Sequence, residues 1–335
     1  MRERYWVDVL TREGVLVGRL DRFTSLSLTG NVNRQIRWDG QMETQGDPGV
    51  DWWRHRIRPM YQRDEAAPVA LGVYLVEPES CKETEGLTHS RGSLSFNLYD
   101  RTRIPSLDKV EQVHTEVAGS KVTARIKALL ESTGEKGVAI TDRDETLRTD
   151  MVFDPGTSKL RIINDLLDAA GFFALYTDYS GQYRVTPYTA PNLRPVVRVY
   201  TPGGRDLYEP QVTTSFPETA ANKVILQARG DGDAPDLIAV AQDREDFART
   251  GTWRAIHDES VEATSQAVLD GMAQRRLREA QQATWTRSRS VEVSPLELNS
   301  VIAGRDGGRE TVEEIRITCQ AGALMMVTSR EVRGG

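Results

Sequence analysis

Residues 5–20 read YWVDVLTREGVLVGRL, and this stretch indicates how the chain begins to fold. Short apolar alternation lies on both sides of residues 11–14, TREG, a polar run that ends in glycine and suits a hairpin turn. Phe23, Leu26 and Leu28 continue the alternation after the hairpin. The pattern therefore predicts a β-meander at the start of the chain.

Further strands and three helices are expected along the chain. Strands are predicted over residues 73–77, 94–98, 183–185, 196–199, 224–226, 291–293, 314–319 and 324–329. Apolar residues at helical spacing predict a helix from the N-cap Ser120 with Val122, Ile126, Leu129 and Leu130, a second from Thr157 or Ser158 with Leu160, Ile163, Leu166, Leu167 and Ala170, and a third from Ser260 with Val261, Val268, Leu269, Met272, Ala273 and Leu277. Gly134 and Gly171 are expected to end the first two helices.

Composition predicts a soluble globular chain of several domains. Its 335 residues are 39% hydrophobic and 27% charged, which excludes wholesale disorder and membrane classes. No stretch approaches the ~20 apolar residues that span a bilayer, and no signal-peptide apolar region follows Met1, so we expect folding in the cytoplasm. Cys81 and Cys319 form no disulfide framework and are expected to pack as small apolar residues. The net charge of -6 argues mildly against general nucleic-acid binding.

The expected fold class is α+β, rich in β-structure and multi-domain. We expect a first β-domain over residues 1–105 and an α+β domain over 106–190, which ends in a proline-rich linker. Residues 191–230 and 285–335 are expected to form a second β-domain, a barrel or sandwich of similar topology to the first. Residues 231–284 are expected to form an inserted α+β domain with a long helix.

An internal repeat supports two similar β-domains. Val7-x-Val9-x-Thr11-x-x-Gly14 matches Val197-x-Val199-x-Thr201-x-x-Gly204, and Asn33-Arg34-x-Ile36 matches Asn222-Lys223-x-Ile225 at nearly the same offset. A duplicated domain would explain the match. Two hairpins with generic turn chemistry are the alternative explanation.

An ordered series of motifs extends over nearly the whole chain. After the N-terminal hairpin it includes Asp51-Trp52, Ile57-Arg58-Pro59-x-Tyr61, residues 71–76 (LGVYLV), residues 158–171 (SKLRIINDLLDAAG), Tyr183-x-Val185-x-Pro187, Asn222-Lys223-Val224 and residues 273–279. No single motif is diagnostic. The series resembles the hub proteins of long-tailed phage tips and baseplates, including those of contractile tails and gene-transfer particles.

This resemblance implies that the two β-domains, residues 1–105 and residues 191–230 with 285–335, are tube-like. It also implies a homotrimer, in which three chains present six similar units to a sixfold tail tube. It also implies several partners: the distal tail protein ring, the C-terminus of the tape-measure protein, downstream tip or fibre proteins, and viral DNA that passes through the lumen without specific binding. We expect the protein at the virion tail tip, assembled in the host cytoplasm, with any hydrolase or fibre activity on another protein. Because a ring of Lys and Arg would retain DNA, the lumen around residues 14–33 and 204–222 is expected to be neutral or acidic.

The sequence offers weak candidates for catalysis or metal binding. His55, His89, His114 and His257 are scattered, and His257-Asp258-Glu259 suits a turn before a helix better than a catalytic triad. Asp231-Gly232-Asp233 with Asp236 lacks the glutamate that a calcium loop requires, since Gln242 stands there. Arg143 and Arg148 interleave with the acidic residues Asp142, Asp144, Glu145 and Asp150, as on a solvated face. We therefore expect no enzymatic activity, cofactor or metal.

Residues 52–61 contain the densest mixture of aromatic and basic side chains. Trp52, Trp53, Arg58 and Tyr61 suit a buried protein interface, where Trp, Tyr and Arg are enriched, and less well a nucleic-acid surface. The expected function is thus a structural hub subunit that surrounds the DNA ejection channel. The alternatives are a receptor- or carbohydrate-binding tail module and a tail-associated cell-wall hydrolase.

Overall fold

The computed structural model describes the backbone of residues 2–20, 23–46, 48–82, 93–201, 209–214, 221–230, 235–259, 261–281, 285–304 and 307–332, and the side chains of all of these except 78–82, 93, 209–214 and 285. Its strands are β1 (Glu3–Leu10), β2 (Leu16–Leu20), β3 (Phe23–Asn31), β4 (Trp38–Gln45), β5 (Arg56–Arg63), β6 (Val69–Ala70), β7 (Tyr74–Lys82), β8 (Ser93–Asp100), β9 (His114–Glu116), β10 (Val138–Ile140), β11 (Met151–Phe153), β12 (Tyr176–Thr177), β13 (Tyr183–Val185), β14 (Val196–Val199), β15 (Glu209–Thr214), β16 (Lys223–Ala228), β17 (Leu237–Gln242), β18 (Ala255–Asp258), β19 (Trp285–Val291), β20 (Val301–Ala303), β21 (Arg309–Thr318) and β22 (Met325–Glu331). Its helices are α1 (Arg103–Leu107), α2 (Val122–Ser132), α3 (Lys159–Ala169), α4 (Arg244–Thr250) and α5 (Gln266–Gln281), and Pro191–Leu193 forms a 3-10 turn. Within these described ranges, no helix is long and apolar enough to cross a membrane.

The largest sheet joins the two ends of the chain. Its main path follows the order β15-β19-β22-β21-β3-β4-β8-β7-β5-β1-β2, with β6 on β5, and with β14 and β20 attached through β21. Strands β1 to β8 form one half, which opens with the predicted hairpin, and the later strands form the other. Antiparallel pairing of β3 with β21, which sets Leu28 opposite Ile317, joins the two halves.

One apolar core lies under both halves of this sheet. Leu26 and Leu28 on β3 are buried while Ser27 between them is exposed, and Ile315 and Ile317 on β21 follow the same alternation. Because successive side chains of a strand point to opposite faces, each strand contributes one face to the core. The same core also contains Val7, Met42, Phe96, Leu98, Val291, Val312, Met325 and Val327.

A second core belongs to the predicted α+β region of residues 106–190. Helices α2 and α3 pack on short strands, with Ile126, Leu130, Ile163 and Leu167 completely buried. Strand β13 pairs with β10 and β12, and β9 pairs with β11. The structure thus confirms a β-rich α+β fold with several sheets.

The helices begin as predicted at one site and later than predicted at two others. The hydroxyl of Ser158 accepts a hydrogen bond from the Arg161 amide at 3.3 Å and caps α3. Lys121, not Ser120, precedes α2, because backbone bonds between residues 120–122 and 145–147 hold this entry extended. Helix α5 begins at Gln266, well after the predicted start at Ser260, which lies outside the described residues.

The third core forms where α5 packs on a three-stranded sheet. Strand β16 lies in the centre of this sheet, antiparallel to β17 and parallel to β18. Its Val224 and Leu226 face Leu269 and Met272 of the helix. Residues 223–228 therefore pack with the inserted region, whereas the predicted division assigned them to the second β-domain.

The short sequence repeat does not mark equivalent positions in the structure. Strands β1 and β2 form an antiparallel hairpin, whereas β14, which carries Val197 and Val199, pairs in parallel with β20. Asn33 lies in the turn after β3, but Asn222 precedes β16 in another sheet. Gly204 lies outside the described residues. Because valine alternation and polar turns are common in strands, so short a pattern recurs without a common topology.

Candidate functional site

The predicted aromatic and basic segment occupies a turn before β5 and then β5 itself. The Asp51 carboxylate accepts a hydrogen bond from the Trp53 amide at 3.1 Å, and the Asp51 carbonyl accepts one from the His55 amide at 3.0 Å. The Trp52 ring packs on Phe96 at the edge of the large core, with ring centroids 5.0 Å apart. Trp53 is 88% exposed. Trp53 is therefore the more exposed of the two tryptophans, and Trp52 is partly buried.

Tyr61 does not share a surface with the exposed Trp53, and Arg58 lies on the other face of β5 from Tyr61. Tyr61 is buried, and its hydroxyl donates a hydrogen bond to Glu3 Oε1 at 2.9 Å. Burial, together with Glu3, raises the pKa of Tyr61 to about 12. Arg58 pairs with Asp8 on β1 at 2.9 Å. Residues three apart on a strand point to opposite faces, which is why these two separate.

A buried ionic cluster fastens the large sheet to the α+β region. Glu135, just after α2, is almost completely buried and lies 2.5 Å from Arg56 Nη2 and 2.6 Å from Arg101 Nη2. The Tyr183 hydroxyl donates to the Arg101 carbonyl at 2.7 Å. The Arg101 guanidinium also donates a hydrogen bond to the Gly181 carbonyl at 2.7 Å. These contacts fix the position of one unit relative to the other.

A second buried ionic cluster lies within the later half of the sheet. The Arg289 guanidinium contacts both carboxylate oxygens of Glu310, at 2.8 and 2.6 Å, and both side chains are 1% exposed. Arg287 donates to the same carboxylate at 3.0 Å, and Ser329 also hydrogen-bonds to it. Burial opposes ionisation of Glu310, but the hydrogen bonds from Arg289 and Ser329 outweigh it and lower its pKa. The cluster joins β19, β21 and β22.

A small cavity lies where the sheet meets the α+β region. It measures about 20 Å³ and is lined by Arg37, Trp38, Gly72, Val73, Tyr74, Asp100, Tyr176, Thr177, Asp178, Tyr179, Glu297 and Leu298. Asp100 accepts hydrogen bonds from the amides of Trp38 and Thr102, each at 2.8 Å. Burial raises the pKa of Asp100 despite these bonds. This volume holds about one water molecule, which points to a structural joint and not to a ligand site.

Two strands of the large sheet expose apolar side chains. Val15, just before β2, and Leu16 and Val17 at its start are 62%, 53% and 56% exposed. Val197 and Val199 on β14 are 57% and 54% exposed. The sequence carried a signal for the first group, because three consecutive apolar residues in a strand cannot all face one core. The residues of the two ionic clusters had no comparable local signal.

The weak chemical motifs lie apart in the structure. Lys121 pairs with Asp142 and Asp144 at 2.8 and 3.1 Å on the surface. His257 lies 3.7 Å from Glu259, and both are about half exposed. Across the described ranges, no group of three or more His, Cys, Asp or Glu side chains is placed to hold a metal ion. His89 and residues 231–233 lie outside those ranges.

Comparison with known proteins gives a consistent result at the level of structure. No family model and no curated protein sequence matches the chain. A tail protein from Neisseria meningitidis is similar over 99% of this chain and 97% of its own, with a TM-score of 0.70 and 13% identity. The 43 kDa tail protein of prophage MuSo2 from Shewanella oneidensis is similar over 98% of both chains, with a TM-score of 0.63 and 11% identity. The prophage tail protein gp18 from Listeria monocytogenes is similar over 98% of this chain and 95% of its own, with a TM-score of 0.58 and 12% identity.

These likenesses extend almost from end to end and include all three cores. At such low identity the likenesses show a shared backbone fold. Local sequence motifs alone could not show that fold. The chain therefore has the fold of phage tail proteins, as the resemblance of its motifs to tail-tip and baseplate hub proteins predicted.

Proposed function

We propose that the chain is a structural subunit of a phage tail tip or baseplate hub. The observation that carries this proposal is the likeness to phage tail proteins over nearly the full length of both chains. A likeness confined to one unit would leave the remaining units free for another role. Here the large sheet, the α+β region with α2 and α3, and the sheet that carries α5 all have counterparts in the same proteins. The role is structural and not enzymatic, and the tail of the virion is its location.

The subunit forms a homotrimeric ring between a sixfold tail tube and a threefold tip. In this proposal the two halves of the large sheet act as two tube-like units, so three chains present six units to the tube. The pairing of β3 with β21 supports this reading, because it fastens the halves side by side. The shared core under both halves would keep the six units in a rigid ring.

The ring contacts other tail components on both sides. Its partners are the distal tail protein ring above, the C-terminus of the tape-measure protein inside, and tip or fibre proteins below. Viral DNA passes through the lumen without specific binding. Because each phosphate contact adds affinity, the residues around 14–33 and 204–222 that line the passage should be neutral or acidic in sum. Of the second segment, residues 204–208 and 215–220 lie outside the described chain.

Light scattering and electron microscopy of the purified protein test this proposal. The expected result is a mass three times that of the 37.5 kDa chain and a ring with an axial opening. Addition of distal tail protein rings should yield stacked particles with threefold symmetry. A stable dimer, or a trimer without an opening, would contradict the hub role. A strongly basic lining in a trimer structure would contradict the passage of DNA.

The exposed Trp53 favours one other function, a receptor- or carbohydrate-binding tail module. A solvent-exposed indole offers a flat apolar face on which a sugar ring could lie. Binding of purified chain to a glycan array, lost in Trp53→Ala, would support that function. Absence of glycan binding together with ring formation would support the hub.

A further inference from the structure

Arg37 is a buried cation with few protein partners. The residue lies just before β4 and is 5% exposed. One guanidinium nitrogen donates a hydrogen bond to the Ala174 carbonyl at 3.1 Å, and the guanidinium carbon lies over the Tyr176 ring, 5.1 Å from its centroid. Each nitrogen of a guanidinium carries N–H donors, yet this is the only hydrogen bond of the group in the described chain. Arg37 therefore has buried donors that still need an acceptor, because an unmet buried donor costs free energy.

Asp100 is a buried anion on the wall of the same cavity. It ends β8 and is 2% exposed. Its Oδ2 accepts a hydrogen bond from the Trp38 amide, and its Oδ1 accepts bonds from the amide and the hydroxyl of Thr102. An ionised carboxylate oxygen has about two acceptor positions. Asp100 Oδ2 therefore retains one position for a further donor.

Arg37 and Asp100 influence each other without direct contact. Burial lowers the pKa of Arg37 and raises that of Asp100, and each charge opposes the shift of the other. No hydrogen bond or ion pair joins the two side chains in the described chain. Both line the cavity of about 20 Å³, which is room for one water molecule. Water commonly bridges polar groups that are separated in this way, and the bridge is nearly as favourable in enthalpy as a direct hydrogen bond.

We infer that one ordered structural water molecule binds in this cavity and joins Arg37 to Asp100. The water accepts a hydrogen bond from the Arg37 guanidinium and donates one to Asp100 Oδ2. Thr177 also lines the cavity, and its hydroxyl, which makes no other hydrogen bond in the described chain, accepts the second water proton. Because Asp100 belongs to the large sheet and Thr177 to the α+β region, this water ties the two units together. The site is independent of the proposed hub role.

The charge on the cavity wall favours water over an ion. Asp100, Asp178 and Glu297 line the cavity, and Arg37 is the one cation among the lining residues. A small anion would therefore meet an excess of negative charge. A metal cation would lie beside a guanidinium, and among the described residues no group of three or more His, Cys, Asp or Glu is placed to hold one. A water molecule accepts from the cation and donates to the carboxylate, so it satisfies both without adding charge.

High-resolution crystal structures of the wild type and two variants test the site. Arg37→Met keeps an unbranched side chain and removes the N–H donors. Arg34→Met is the matched control, because Arg34 pairs with Asp39 on the surface and 47% of its side chain is exposed. In the wild type and in Arg34→Met, one water should lie about 2.7–3.2 Å from both the Arg37 guanidinium and Asp100 Oδ2. In Arg37→Met that water should be absent.

Magnetic relaxation dispersion of the water signal gives a second measurement, because it counts long-lived internal waters in solution. Arg37→Met should hold one fewer such water than the wild type, and Arg34→Met should hold the same number. If Arg37→Met does not fold, the wild-type crystal structure decides alone. Direct contact of Arg37 with Asp100 without a water between them would overturn the inference. An anomalous peak in the cavity of crystals soaked in bromide or rubidium, or an unchanged water count in Arg37→Met, would also overturn it.

Discussion

Glu135 receives two guanidinium groups although its side chain is almost completely removed from solvent. Arg56 comes from the large sheet, and Arg101 and Tyr183 approach from other segments. Burial lowers the pKa of Arg56, and the neighbouring Glu135 carboxylate opposes that shift. A buried carboxylate between two cations stabilises a fold chiefly by preventing uncompensated charge. This residue therefore holds the sheet and the α+β region in one arrangement.

Replacement of Glu135 by glutamine should destabilise the protein strongly. The variant leaves Arg56 and Arg101 buried without a counter-ion, and loss of one partner of a buried pair costs about 3–5 kcal/mol. The free energy of unfolding in urea measures this loss. Asp142→Asn is the matched control, because it removes a surface partner of Lys121 and should change the stability little. Equal stability of Glu135→Gln and the wild type would refute the role of the cluster.

Glu310 predicts a loss of stability in acid. The pKa of Glu310 in the folded protein lies below its value in the unfolded chain, which is ~4.3. The stability that Glu310 contributes is therefore fully present above the unfolded pKa and is lost as the pH falls through the folded pKa. Glu310→Gln should therefore be less stable than wild type at neutral pH and should lose less stability on acidification. Urea unfolding midpoints from pH 7 down to pH 3 measure both effects.

Glu313 on the same strand provides the opposite case. Burial raises its pKa despite the neighbouring Arg330, so its contribution to stability is present below the unfolded pKa and is lost as the pH rises through the folded one. Glu313→Gln should remove this decline, the reverse of the effect at Glu310. Urea unfolding from pH 7 down to pH 3 measures the effect. If both variants changed the pH dependence of the unfolding free energy in the same direction relative to the wild type, the assignment would be contradicted.

At the scale of elements, the two middle helices differ in what holds their first turn. Helix α3 depends on the Ser158 side chain, whereas α2 is entered through backbone bonds between residues 120–122 and 145–147. A side-chain cap satisfies an amide that has no partner within the helix. A backbone bridge does the same without any requirement on side-chain type. The sequence pattern could reveal only the first arrangement.

Ser158→Ala should lower the free energy of unfolding by about 1 kcal/mol, the usual effect of removing an N-cap hydroxyl. Ser120→Ala is the matched control at α2 and should have little effect, because its backbone groups make the bridge. Urea unfolding of both variants gives the comparison. A larger loss at Ser120 than at Ser158 would show that the side chain at α2 matters after all.

At the scale of the whole molecule, the two adjacent tryptophans should separate folding from assembly. Trp53 is exposed and touches no core, so Trp53→Ala should leave the unfolding midpoint unchanged. If Trp53 is an interface anchor, its removal should weaken assembly by about 2 kcal/mol, or ~30-fold in the dissociation constant. Trp52→Ala should instead lower stability, because the ring packs on Phe96. Normal particles from Trp53→Ala would remove this residue from the interface.

Local periodicity was sufficient for several parts of the molecule. The alternation in residues 5–20 predicted the β1–β2 hairpin, and the apolar spacing after Ser158 predicted α3 with its cap. Such features depend on neighbours within one turn or one hairpin, so they are readable in a single stretch. The predicted interface residues illustrate the limit, because residue type alone did not show that Tyr61 faces inward and Trp53 outward.

The sequence by itself determined the β1–β2 hairpin, the start of α3 at Ser158, the apolar faces of these elements, and a motif series typical of tail hubs. The tertiary structure decided which elements meet. Asn31 hydrogen-bonds to Glu314 across 283 positions, and Arg56 reaches Glu135 across 79. It also decided that the apolar residues of β2 and β14 stay uncovered. The physical reason is that strand pairing and charge burial depend on partners distant in sequence, for which a local pattern carries no information.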